Sequence, residues 1–296
     1  MLNPKSFILI FLLIIMSCSV NEKKEVEEQI REKFSKVEGN FALAFIMIGD
    51  TNNSIVINEH EMFHAASTMK TPVMIEAFKQ DEKGIINLQD SLVVKNSFKS
   101  IVDGSEYSMD INRDSGDKAY GKIGEKETYY NLVYDMIINS SNLATNIVIE
   151  QLEAKNVMKT MSDLGANTIK VLRGVEDMKA YDAGLNNETS ASDLMVLFLK
   201  IAEGKAVSPK ADERMIEILL NQKHNSIIPA KLPSEVKVAH KTGSITGVMH
   251  DSGIVILPDG SKYVLVILSK NVTNRDIATE MMTDVSRIIY DYVVKL

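Results

Sequence analysis

The stretch His64-Ala-Ala-Ser67-Thr-Met-Lys70-Thr-Pro-Val-Met-Ile-Glu-Ala-Phe78 reads as the passage from a sheet into a helix. Ser67 is a favoured N-cap residue, and Pro72 is tolerated only in a first turn, so a helix is expected from Ser67 to Phe78. Lys70, three residues on, shares the face of Ser67. A serine hydroxyl is a poor nucleophile unless a base lies within hydrogen-bond reach. A lysine can be that base only when neutral, which requires a lowered pKa. Ser67 and Lys70 are therefore a candidate nucleophile and base.

Working upstream, Val26, Ile30, Phe34 and Val37 recur at helical spacing. Two strands follow, Phe41 to Ile48 and Ser54 to Ile57, around the turn-rich Gly49-Asp-Thr-Asn-Asn53. Downstream, residues 96–127 are polar and irregular, a length of loop that is usually functional or mobile. Helical spacing returns over Thr128 to Leu152, Ala191 to Ala202 and Asp212 to Leu220. Val236 to His240, Gly253 to Leu257 and Tyr263 to Leu268 read as strands, the last two joined by the turn Pro258-Asp-Gly-Ser261, and Asp276 to Val294 closes the chain as an amphipathic helix. The expected fold is α/β (α+β): an antiparallel sheet built from both chain ends and flanked by helices, with an all-helical subdomain inserted. A sheet lobe is expected from residues 19–66 and 203–296 and a helical lobe from 67–202, with the site between them.

The chain of 296 residues is 45% apolar and 25% charged with a net charge of −7, a globular composition that argues against nucleic acid as a partner. Lys5 precedes an unbroken apolar run from Phe7 to Met16, then Ser17-Cys18. That run is too short to span a bilayer, which takes about 20 apolar residues, and reads as a secretory leader over residues 1–18. Ile15-Met16-Ser17-Cys18 resembles a bacterial lipobox, so Cys18 is the expected lipidation site and a lipid the only membrane contact. Cys18 is the single cysteine, which excludes an intramolecular disulfide. A lipid-anchored or periplasmic envelope location and a monomeric state are expected.

Three short motifs occur in order: Ser67-Thr-Met-Lys70, Ser140-Ser-Asn142 and Lys241-Thr-Gly243. Ser-x-x-Lys recurs at Ser115 and Ser234, but there it falls in polar loop or just before a strand. In order and spacing the set resembles the penicillin-recognising serine hydrolases, particularly class A β-lactamases. Met136-Ile-Ile-Asn-Ser-Ser-Asn-Leu-Ala-Thr-Asn146 is similar to that family's second-motif helix, and His240-Lys-Thr-Gly-Ser244 to its third-motif strand. The resemblance implies opening of a β-lactam ring through a Ser67 acyl-enzyme. It implies proton delivery by Ser140 and binding of the substrate amide by Asn142. Lys241 and Thr242 would hold the substrate carboxylate, Gly243 would allow close approach, and the backbone N–H groups of Ser67 and Ser244 would hold the oxyanion. Lys241 is also the expected second cation that lowers Lys70. For the water that hydrolyses the ester, Glu176 is the first candidate and Asp182 the second, with Arg173 tethering their loop through a carboxylate. No cofactor or metal is implied, and the substrate is a small β-lactam or a peptidoglycan-like molecule.

Other readings are a D,D-peptidase, an esterase, or a penicillin-binding protein that deacylates slowly. His60-Glu-Met-Phe-His64 also matches the H-E-x-x-H pattern of zinc metalloproteases, which works only on a helix.

Overall fold

The computed structural model describes residues 22–116 and 118–296, so Cys18 and the leader lie outside the described residues. In chain order, helix α1 (22–35) precedes strands β1 (Asn40–Met47), β2 (Asp50–Ile57) and β3 (Phe63–His64). Helix α2 (Lys70–Glu82) follows, then β4 (Ser91–Val93), β5 (Phe98–Lys99), β6 (Glu106–Tyr107) and β7 (Lys126–Thr128). Next come α3 (Tyr129–Ile138), α4 (Asn142–Leu152), α5 (Ala154–Leu164), α6 (Met178–Asp182) and β8 (Glu188–Thr189). The chain ends with α7 (Ala191–Ala202), α8 (Pro209–Leu220), β9 (Lys237–Ile245), β10 (Val248–Ile256), β11 (Lys262–Lys270) and α9 (Arg275–Val293).

The main sheet has the order β2-β1-β11-β10-β9 with antiparallel pairing throughout. Strands from the two chain ends meet at β1 and β11, where Phe41 to Met47 pair in register with Ser269 to Tyr263. Both strands are apolar through their middles, Phe41 to Met47 and Tyr263 to Leu268, because both faces of the sheet are covered. Alternation then separates two cores. Phe41, Leu43, Phe45, Tyr263, Leu265 and Ile267 face a core shared with Ile30 and Phe34 of α1 and with α9. Ala42, Ala44, Val264, Val266 and Leu268 face α7 and the helices inserted between the strands. The antiparallel sheet from both chain ends, with helices inserted, is thus the observed fold. Helix α7 lies directly on β1, β10 and β11, and α8 lies against β9.

Several local expectations are corrected. Ser67 is not an N-cap: residues Ala66–Met69 form a 3₁₀ turn, and the α-helix begins at Lys70 without a side-chain cap. Burial explains this, since Thr68, Met69 and Lys70 are all fully buried and tertiary packing overrides capping preference. The third motif lies inside β9 rather than at a strand end, because β9 runs on to Ile245 against β10. The polar segment 96–127 carries a small β5–β6 hairpin and two 3₁₀ turns and packs along the inserted helices. Helices α5 and α6 were not expected from the sequence.

Candidate active site

Three chain segments converge on two buried lysines. Lys70 opens α2, and its Nζ donates to the Ser140 carbonyl at 2.6 Å, to Ser140 Oγ at 3.1 Å and to Asn142 Oδ1 at 2.9 Å. Lys241, on β9, donates from Nζ to the same Ser140 Oγ at 3.1 Å and to the Thr242 carbonyl at 3.0 Å. Both lysines are fully buried, and Ser140 Oγ bridges their ammonium nitrogens. Ser140 reaches this point because it occupies the break between α3 and α4 with a left-handed φ of +61°. For a non-glycine residue that conformation costs about 1–3 kcal/mol, and such residues cluster at functional sites.

Burial pushes Lys70 down to about 7, against the opposing charges of Asp114, Asp135 and Glu176. Burial and the neighbouring Lys70 charge push Lys241 well below its ordinary value, while Asp251 opposes them. Burial is the first cause for both lysines, and their mutual repulsion disfavours holding a proton on each at the same time.

Ser67 is half-buried in the 3₁₀ turn, next to Ala66, which has φ +46°. Gly243 explains how β9 approaches this turn. A Cβ on Gly243 would stand 3.1 Å from Thr68 Cγ2 and 3.2 Å from the Thr68 nitrogen, so a side chain there would force the third motif away from Ser67. Thr242 is half-buried, and Ser244 is exposed with its Oγ accepting from Arg275 Nη1 at 2.8 Å.

Glu176 enters the same cleft and Asp182 does not. Glu176 Oε1 accepts from Asn142 Nδ2 at 3.2 Å and Oε2 from the Asp110 nitrogen at 3.4 Å. Asp182 is exposed at the end of α6. The strained backbone in this loop belongs to Glu176 itself, with φ +61°. Gly174 serves close approach: a Cβ there would lie 2.3 Å from Asn146 Oδ1, which accepts from the Val175 nitrogen at 2.7 Å. The loop tether also differs from expectation. Arg173 donates to the Leu185 carbonyl at 2.9 Å, the Gly174 carbonyl at 3.0 Å and Asn186 Oδ1 at 3.2 Å, and Asp177 instead caps α6. A guanidinium with five donors suits carbonyl oxygens as well as carboxylates.

The zinc pattern falls. Residues 58–62 are turn and coil followed by β3, so the helix that H-E-x-x-H needs does not form. His64 Nδ1 accepts from the Ala66 nitrogen and Glu61 pairs with Lys270 at 3.0 Å. Among the described residues no group of His, Cys, Asp and Glu is placed to hold a metal.

Sequence reading missed three contributors. Asp114 accepts from the first N–H groups of α4. Arg275 reaches Ser244 from the start of α9. Beneath the third motif the buried His240 and Asp251 are joined to the exposed Asn225, with His240 Nδ1 2.8 Å from Asp251 Oδ1 and Nε2 2.9 Å from Asn225 Oδ1. The only local signal for any of these is the turn-like Asp114-Ser-Gly116.

Comparison with known proteins adds to this geometry. A family model described as the beta-lactamase enzyme family matches residues 25–293. A β-lactamase of Bacteroides uniformis is 23% identical over 299 residues, covering 96% of this chain and 98% of that protein. The structure of PBP-A superposes with a TM-score of 0.77 at 28% identity, covering 92% of this chain and 97% of that one. A β-lactamase from Sphaerobacter thermophilus superposes with a TM-score of 0.78 at 22% identity, covering 90% and 97%.

Proposed function

We propose, from the premise that this chain belongs to the beta-lactamase enzyme family, that it hydrolyses β-lactams through an acyl-enzyme on Ser67. The observation that carries this reading is Ser140 Oγ held 3.1 Å from two fully buried lysine nitrogens, one of them lowered to about 7.

These positions support the following steps, with a Ser67–Lys70 hydrogen bond, absent among the described residues, forming as substrate binds. Neutral Lys70 takes the Ser67 hydroxyl proton as Oγ attacks the lactam carbonyl. The oxyanion is held by the backbone N–H groups of Ser67 and Ser244. As the C–N bond breaks, the proton passes from Lys70 through Ser140 Oγ to the leaving nitrogen. Lys241 and Thr242 hold the substrate carboxylate and Asn142 its amide side chain. Glu176 then takes a proton from water, which attacks the ester and returns Ser67 to its hydroxyl form. No step requires a cofactor.

Lys70 sets the pH dependence. Its neutral form is the base, and at a pKa of about 7 half of it is neutral near pH 7. The acylation rate, read by stopped-flow with a chromogenic cephalosporin, should rise with pH through about 7. Below that it should fall about tenfold per pH unit, and Lys70→Ala should slow acylation by roughly 10²–10⁴. An acylation rate that is flat from pH 5 to 8 would remove Lys70 from the role of base.

A second reading is a penicillin-binding protein that deacylates slowly. It is favoured by the likeness to PBP-A, a variant of which forms an acyl-enzyme complex with penicillin G. Turnover of the chromogenic substrate against one-to-one labelling separates the two.

We further read the chain as a monomer carried to the cell envelope by residues 1–18 and anchored by a lipid on Cys18. Its support is the apolar run Phe7 to Met16 ending in Ser17-Cys18. Intact-mass analysis of the membrane fraction should show acyl chains on Cys18 that disappear in Cys18→Ser. An unacylated wild type would refute the anchor and leave the catalytic reading in place.

A further inference from the structure

We infer that Asp114, carried on the 96–127 segment, is a positioning residue for the reaction: its carboxylate holds the start of α4, and with it Ser140 and Asn142, against Lys70. The segment was unexplained by the sequence; its Asp110 N–H donates to Glu176, and its Asp114 carboxylate holds the backbone of the second motif.

The contacts are specific. Asp114 Oδ1 accepts from the Asn142 nitrogen at 2.8 Å and the Gly116 nitrogen at 2.9 Å. Its Oδ2 accepts from the Asn142 and Leu143 nitrogens at 2.9 Å each and from the Tyr120 hydroxyl at 3.1 Å. The first N–H groups of a helix have no partner within it and carry its positive dipole end, so a carboxylate is the matched acceptor. Ser141 Oγ already caps α4 locally by accepting from the Ala144 nitrogen, which leaves the Asn142 and Leu143 N–H groups for an acceptor from elsewhere in the chain. Asp114 is that acceptor. Gly116 strengthens the placement: a Cβ there would lie 2.5 Å from Ser141 Cβ, so the segment seats directly on the second motif.

The side chains of Ser140 and Asn142 both accept from Lys70, so fixing their backbone fixes the surroundings of the base. The charge matters too. The groups facing Lys70 are Asp114 from the segment, Asp135 from α3, Glu176 from its loop, and Lys241 from β9. Asp114 is the strongest of the three acids that hold the Lys70 proton against burial. Tyr120 donates to Asp114 and also faces Asp110 and Glu176, while Asp135, with Lys118 beside it, faces Asp114.

The inference rests on Lys70 acting as the base, and the test separates the two. Asp114→Asn keeps an oxygen acceptor and the shape but removes the charge. Removing a negative charge weakens proton binding by Lys70, so the acid limb of acylation should move to lower pH in the folded fraction, while the amide NH2 set against a backbone N–H lowers the unfolding temperature. Asp114→Ala removes the acceptor as well. It should lower kcat/KM by roughly ten- to a hundredfold, the cost of small displacements of groups around a reacting centre. A purely structural role would lower stability and the active fraction without moving the limb. If the wild-type limb is present and Asp114→Asn leaves it in place, Asp114's part is overturned while Lys70 as base survives. If the wild type shows no limb, the Lys70 reading fails and carries this inference with it.

Discussion

Ser67→Ala is expected to lose all covalent labelling by a fluorescent penicillin and all β-lactam turnover, with the fold intact. Loss of the nucleophile in a serine hydrolase costs on the order of 10⁶ in kcat, because no other group can form the acyl bond. The change is also mild for the structure. Ser67 is half-buried, and among the described residues its hydroxyl makes no hydrogen bond, so truncation removes one oxygen and opens no cavity. Substitutions of that kind stay within about 0.5 kcal/mol of wild-type stability. Unchanged thermal unfolding together with absent labelling is the expected pair. Labelling that persists in Ser67→Ala would end the serine-hydrolase mechanism.

Glu176→Gln is expected to separate the two halves of the reaction. Deacylation needs a carboxylate that can take a proton from water, and a carboxamide cannot. Deacylation should fall by roughly 10²–10⁴, the usual contribution of a general base. Gln keeps a carbonyl oxygen able to accept from Asn142 Nδ2, so the contact through which Asn142 is held is retained. Acylation therefore continues and the adduct accumulates in intact-mass spectra. Because Glu176 also opposes the lowering of Lys70, removing its charge favours the neutral base and does not slow acylation. Asp182→Asn should behave as wild type, since Asp182 is exposed at the end of α6. Normal turnover in Glu176→Gln would take Glu176 out of the mechanism. Accumulation of the adduct in wild type itself would favour the slow-deacylating alternative.

Much of the fold was legible because it is written in short-range periodicity. The unbroken apolar runs Phe41 to Ile46 and Tyr263 to Leu268 record a sheet covered on both faces, whatever lies elsewhere in the chain. Helix α6 left no such record: it is five residues long, and it forms where Asp177 caps it. Capping preference also misplaced Ser67, because the packing of Met69 and Lys70 decides where α2 begins.

What the amino-acid sequence determined by itself is the chemistry on offer: a serine three residues before a lysine, a Ser-Ser-Asn triplet within a helical stretch, and a lysine following a late strand. Residue identity and local spacing suffice for that. The tertiary structure alone decided which of these meet and in what charge state. Lys241 and Ser140 are 101 residues apart and share one hydrogen bond, and no local pattern encodes that contact. The contact of Glu176 with Asn142, the carriage of Asp114 to α4, and the left-handed backbone at Ala66, Ser140 and Glu176 are of the same kind. So is the lowering of Lys70, because desolvation is a property of everything packed around a group and not of its neighbours in sequence.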